Sequence, residues 1–130
     1  MKYYSSVTLP GSFDETVART RELLSNEGFG VITEIDVRET MKKKLNVDFR
    51  NYLILGACNP PLAHRALESE DKIGVLLPCN VIVQETADGV EVAAMDPVAA
   101  MGAIGNSALE GVAGEVKARL DRVVAGLAEG

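Results

Sequence analysis

Leu109, Val112, Val116, Leu120, Val123 and Leu127 recur at steps of three and four near the C-terminus. That spacing predicts an amphipathic helix, about Ala108 to Ala128, with one apolar stripe along its whole length. Ser107 and Glu110, three positions apart, read as a capping box at its start. A helix this long and this one-sided must bury its stripe against another layer. The 130 residues are the size of one ordinary domain, 1–130, so the partner layer has to come from the preceding segments.

Those segments alternate in type. Tyr3 to Leu9 reads as a strand ended by Pro10-Gly11, and Ser12 with Glu15 caps a helix carrying Phe13, Val17, Leu23 and Leu24 roughly on one side. Asn26 to Gly30 supplies glycines for a left-handed exit. "GVITEIDV" follows as a strand with Val31, Thr33 and Ile35 alternating against Ile32 and Glu34, and Asp36 with Glu39 caps a short helix through Met41 and Leu45. Tyr52 to Cys58 is almost continuously apolar, as in a central strand or one covered on both faces. Pro60-Pro61 can open a helix, because the first turn needs no N–H donors; Leu62, Ala66 and Leu67 would be its inner face.

"IGVLLPCNVIVQE" reads as a further strand, at an edge, bulged or broken at Pro78, since proline gives no ladder donor. Asp88-Gly89 then marks a hairpin turn, Val90 to Met95 returns as a strand, and Asp96-Pro97 starts a short helix of small residues. Strands, helices, one hairpin and a long final helix in this order predict an α+β fold with helices packed on a sheet.

The net charge of −6 argues against nucleic acid unless the cations gather on one face. The only dense basic run, Lys42 to Lys44, fans around a helix and reads as a solvated surface. The opening "MKYYSSVTLPGSFDE" lacks the apolar stretch of a signal peptide, and no run approaches the ~18 residues of a membrane span. These features, and two cysteines too few for a disulfide framework, lead to the expectation of a cytoplasmic protein with no membrane partner.

Chemistry concentrates in "GACNPPLAHRAL", Gly56 to Leu67, and its partial echo "LLPCNVIV". Cys58 lies just before a predicted helix, where the macrodipole and free N–H groups would favour a thiolate, and the single histidine, His64, sits one turn into that helix. Alternation puts Val75, Leu77, Cys79, Val81 and Val83 on one apolar strand face and Asn80 on the other. Cysteine also serves as a small core hydrophobe and asparagine as a turn former, so each Cys-Asn pair has a plain structural reading. A metal site needs Cys58, His64 and Cys79 to converge, with Asp96 as a fourth ligand; Cys-x5-His is no recognised zinc spacing, and no Cys-x-x-Cys pair occurs. Neither a Walker loop nor a G-x-G-x-x-G fingerprint is present.

The segment "VDFRNYLILGACNPPLAHRALESEDKIGVLLPCNVIVQE", followed by "VEVAAMDPVAAM", resembles the domain of unknown function 302 family of small prokaryotic proteins. The paired "GACNP" and "LPCNV" segments and the "DP" after the last strand carry the likeness. The resemblance implies a fold like that of the TATA-box-binding protein, a curved antiparallel sheet with helices on one face, and no established activity. Fold likeness does not bring DNA binding with it. Family motifs fall on Cys58, Asn59, Pro60, Pro78, Cys79, Asn80, Asp96 and Pro97.

The expectation is therefore a small-ligand or metal binding module, a homodimer, with candidate site residues Cys58, Asn59, His64, Cys79, Asn80 and Asp96. The alternatives are an interaction subunit whose cysteines are packing, and a thiol-based redox enzyme using Cys58 with His64 as base.

Overall fold

In the computed structural model, which describes residues 2–130, the C-terminal stripe lies against one face of a five-stranded sheet. Its strands are β1 (Tyr4–Leu9), β2 (Gly30–Asp36), β3 (Tyr52–Cys58), β4 (Cys79–Thr86) and β5 (Gly89–Met95), in the order β1-β5-β4-β3-β2. Every neighbouring pair is antiparallel. The helices are α1 (Phe13–Asn26), α2 (Val37–Leu45), α3 (Pro60–Ser69), α4 (Pro97–Met101) and α5 (Ser107–Ala128). The sheet is thus antiparallel with helices on one face, the α+β class expected from the order of elements.

All six stripe residues of α5 are buried, and Ala113 joins them. They meet Leu55, Val81, Val83 and Val92 from the sheet and Leu24 from α1 in one hydrophobic cluster. Phe13, Val17 and Leu23 pack around its margin. Burying a side chain of this kind is worth roughly 1.5–3 kcal/mol, so the stripe is what holds α5 to the sheet. Helix α2 differs, since none of its residues is buried.

Local caps follow the sequence at Ser12, Asp36 and Asp96, and Asn59, read as a turn former, caps α3. Ser12 Oγ accepts from Glu15 N at 3.1 Å, and Asp36 Oδ1 from Glu39 N at 3.0 Å. For α5 the expectation was one residue late: Asn106, not Ser107, is the cap, with Oδ1 accepting from Ala108 N and Leu109 N. Asn106 also donates from Nδ2 to Ser69 O at 2.9 Å, tying α5 to the end of α3.

Four further expectations are corrected by pairing. Asp71 to Leu76 forms a 3-10 turn, and Val75 is 86% exposed. The ladder shows why: Ala57 pairs with Cys79, and β3 ends at Cys58, so residues before Cys79 have no strand to pair with. Pro78 therefore precedes β4, and β4 is the middle strand, not an edge. In β2 a bulge between Val31 and Thr33 resets the alternation, leaving Val31 opposite Ala57 while Thr33 and Ile35 oppose Gly56 and Ile54. The hairpin pairs Thr86 with Gly89, so Ala87-Asp88 form the turn and Gly89 takes the positive φ of 141°. Leu67 is 43% exposed, because Leu62 and Ala66 alone complete the buried face of α3.

Gly56 is required by close approach. A Cβ there would collide with Thr33 Oγ1 and reach 2.8 Å from Pro78 Cγ. Gly56→Ala is expected to cost about 1–3 kcal/mol in urea unfolding, and adding Thr33→Ala should return part of it. An unchanged midpoint for Gly56→Ala would contradict this packing.

Candidate functional site

The site grows from the end of β3. Strands β3 and β5 both run antiparallel to β4, so they run parallel to each other and finish at the same end of the sheet. Each is followed by a capping Asx and a proline: Asn59-Pro60 before α3 and Asp96-Pro97 before α4. The two caps share backbone geometry, with φ −102° and ψ 102° at Asn59 and φ −98° and ψ 104° at Asp96. The structural counterpart of Asn59 is therefore Asp96. Asn80, its apparent counterpart in the Cys-Asn echo, is the second residue of β4 and lies exposed. The signal was present in "ACNPP" and "AMDPV", where a small residue, an apolar residue, an Asx and a proline occur in the same order.

The start of α3 does not supply the free donors expected for a Cys58 thiolate. Pro60 and Pro61 have no N–H, Leu62 N donates to Asn59 Oδ1 at 3.3 Å, and Ala63 N donates to Asn59 O at 2.8 Å. The capping that stabilises the helix consumes the groups that would have held an anion.

Beside this corner lies a cavity of about 320 Å³, open to solvent past Ile32 and Leu67. Its floor is Ala57 and Cys79 on the sheet, and its walls include Leu62 and Ala66 of α3, Met101, and Val112 and Val116 of α5. Among its lining residues none is charged, and Asn59 is the only one with an amide side chain. Phe29 closes the side below the α1–β2 turn. Phe29, Met101 and the α5 residues were legible only as core, because nothing in their own segments says which cavity they face.

Of the six candidate residues, three line this cavity: Cys58, Asn59 and Cys79. Cys58 is half-buried at the end of β3, whereas Cys79 is buried. Burial, and then the charge of Cys58, push the Cys79 thiol up to about 11 from an ordinary 9.0. Asn59 is buried beneath the α1–β2 turn, where Gly28 has φ +84°; a Cβ on Gly28 would come to 2.9 Å from Asn59 Nδ2. Arg119 closes that corner by donating from Nη1 to Glu27 O at 2.9 Å.

The other three do not join them. His64 points to solvent, its side chain 74% exposed and Nδ1 3.4 Å from Glu68 Oε1, while Ala63 and Leu67 take the wall positions on α3. Asp96 spends its carboxylate on Val98 N and Ala99 N, with Lys117 Nζ at 3.7 Å. No group of three His, Cys, Asp or Glu side chains among the described residues could hold a metal ion. The four-ligand metal arrangement is thus not formed, because the ladder sends Cys79 inward, the helix turns His64 outward, and capping occupies Asp96. For the same reason His64 is not placed as a base for Cys58.

The family model for "Domain of unknown function DUF302" matches residues 5–127. The chain belongs to the DUF302 family. Among solved structures it is similar to the crystal structure of an uncharacterized conserved DUF302 protein from Bacillus stearothermophilus, with a TM-score of 0.89 and 29% identity over 95% of this chain and 97% of that one. No curated protein matches it. No helix of the described DUF302 chain is long and apolar enough to cross a membrane.

The two thiols should separate in solution. Iodoacetamide at mildly alkaline pH is expected to modify Cys58 at least about tenfold faster than Cys79, read by peptide mass spectrometry; equal rates would contradict the burial of Cys79. The pH dependence has a definite sign. Between pH 9.0 and about 11 the unfolded chain releases the Cys79 proton and the folded chain keeps it, so stability falls as pH rises. That component, on the order of 2 kcal/mol, should vanish from the stability–pH slope of Cys79→Ala.

Proposed function

We propose that this DUF302 protein binds a small, uncharged, predominantly apolar molecule in the cavity between α3, α5 and the ends of β3 and β4. The observation that carries the reading is the cavity's composition: about 320 Å³ of space, no charged lining residue and a mouth to solvent. An ionised ligand would lose its hydration there with no counter-charge to replace it. An apolar one gains by the same burial that holds the core together. The volume falls at the lower end of small-molecule pockets, which limits the ligand to a compact ring system or a short aliphatic chain.

Asn59 gives the wall its polar contact point. Its Oδ1 is engaged by Leu62 N, and it is the one amide among the lining residues. Cys58 stands at the cavity's edge and reports occupancy without taking part in a reaction. A cytoplasmic location belongs to the proposal and rests on the amino-acid sequence alone.

Binding can be followed with N-phenyl-1-naphthylamine, an uncharged apolar fluorophore. The wild-type protein is expected to enhance its emission, slow Cys58 alkylation when it is bound, and rise in melting temperature. Ala63→Trp places a large side chain at a half-buried wall position and should abolish these effects while leaving the unliganded melt nearly unchanged. Enhancement that survives Ala63→Trp, or its absence in the wild type, would overturn the reading.

A further inference from the structure

The chain has three tyrosines, and all three line one cavity of about 340 Å³. It lies on the sheet face turned away from α5, because Val81, Val83 and Val92 join the core and Ile82, Gln84, Glu91 and Ala93 alternate with them. Register explains the hollow. Ala93 stands between Ile82 and Ser6 on the neighbouring strands, and longer side chains rise on either side of it. Met95, paired with Tyr4 and Asn80, forms one wall, which Tyr3 extends by meeting the Tyr4 ring edge to face at 5.0 Å. Glu91, paired with Gln84 and through it with Tyr52, forms the other. A chain of hydrogen bonds orders that second wall. Arg50 lies over the Tyr52 ring, Cζ 5.6 Å from its centroid, and donates from Nε to Gln84 Oε1 at 2.8 Å. Gln84 Nε2 then donates to Glu91 Oε1 at 2.7 Å. The Arg50 contact thereby fixes which end of the Gln84 amide meets Glu91.

We infer that this cavity binds a neutral ring bearing several hydroxyl groups, a hexose or a cyclitol. Glu91 selects for donors. A carboxylate only accepts hydrogen bonds, so the ligand has to bring O–H groups to it, and a ketone, ether or hydrocarbon would desolvate it without a partner. Charge selects a neutral molecule. Glu91 is offset by Arg50 two hydrogen bonds away, and Lys2 adds a cation at the opposite wall, Nζ 5.8 Å from the Tyr4 centroid. Aromatic rings beside a carboxylate would suit an organic cation, but Lys2 and Arg50 already lie against two of the three rings and repel it. An anion is repelled by Glu91. The amides of Asn80 and Gln84 and the phenol hydroxyls both donate and accept, as ligand hydroxyls do. Ile82, Ala93 and Met95 give the C–H face of such a ring an apolar surface to lie on. The volume is at the lower end of small-molecule pockets and takes one ring, not a chain of them. This cavity shares no lining residue with the one under α3, and the inference is independent of that reading.

Tyrosine emission reads this cavity alone, because the chain has no tryptophan and no other tyrosine. Glucose, galactose, mannose and myo-inositol are each titrated to roughly 50 mM, a range that captures millimolar binding, beside tetramethylammonium as a cation of similar bulk. At least one of the four polyols is expected to change the emission saturably, and tetramethylammonium is expected to leave it unchanged. Glu91→Gln keeps the shape of the wall and removes the charge-assisted acceptor, and should weaken binding at least about tenfold. Ala93→Leu fills the floor and should abolish the response with an unchanged far-ultraviolet spectrum; if that variant fails to fold, Glu91→Gln decides alone. No saturable change with any of the four polyols would overturn the inference. So would saturation by tetramethylammonium, or a polyol response that the folded variants retain at wild-type strength.

Discussion

The antiparallel ladder between β3 and β4 is the constraint on which the rest of the molecule depends. Because it closes at Ala57 opposite Cys79, it ends β3 one residue later and leaves the preceding segment to form a 3-10 turn. The same closure fixes which faces Cys79, Val81 and Val83 present, and so where α5 can bury its stripe. It also leaves a corner at the sheet's end, under α3, that the core side chains do not fill.

Two layers of helix and sheet give this chain two distinct kinds of apolar surface. One is concave and lies at the corner of the core, between α3, α5 and the ends of β3 and β4. The other is the outer face of the sheet, where Ile35, Ile54 and Ile82 stand in register across three strands. The carboxylates at the strand ends are occupied by capping, His64 pairs with Glu68 in solvent, and burial keeps Cys79 protonated. Capping and catalysis compete for the same side chains, and at Asn59 and Asp96 capping has taken them.

The likeness of the two Cys-Asn segments shows how local similarity can mislead. Both follow apolar runs, yet Cys58-Asn59 ends a strand and Cys79-Asn80 begins one. Asn59 therefore caps a helix while Asn80 faces outward from the sheet. The matching role belongs to Asp96, whose segment shares the order of side-chain types but not the cysteine. Physical equivalence followed from the direction of the strand and from the proline after the Asx, both of which are sequence-readable once strand ends are known.

What the amino-acid sequence determined by itself is the local layer: the strand at Tyr52 to Cys58, the caps at Ser12, Asp36 and Asp96, the proline-started helices, and the α5 stripe. These depend on interactions within a few residues, so periodicity and capping chemistry suffice to find them. The inward placement of Cys79 was legible for the same reason, since alternation needs only the strand itself. The fate of Asp71 to Leu76, the bulge in β2, the outward turn of His64 and the residues around the cavity were decided by the tertiary structure. Each depends on which segment lies opposite, and that partner is set by pairing and packing between residues distant in the chain.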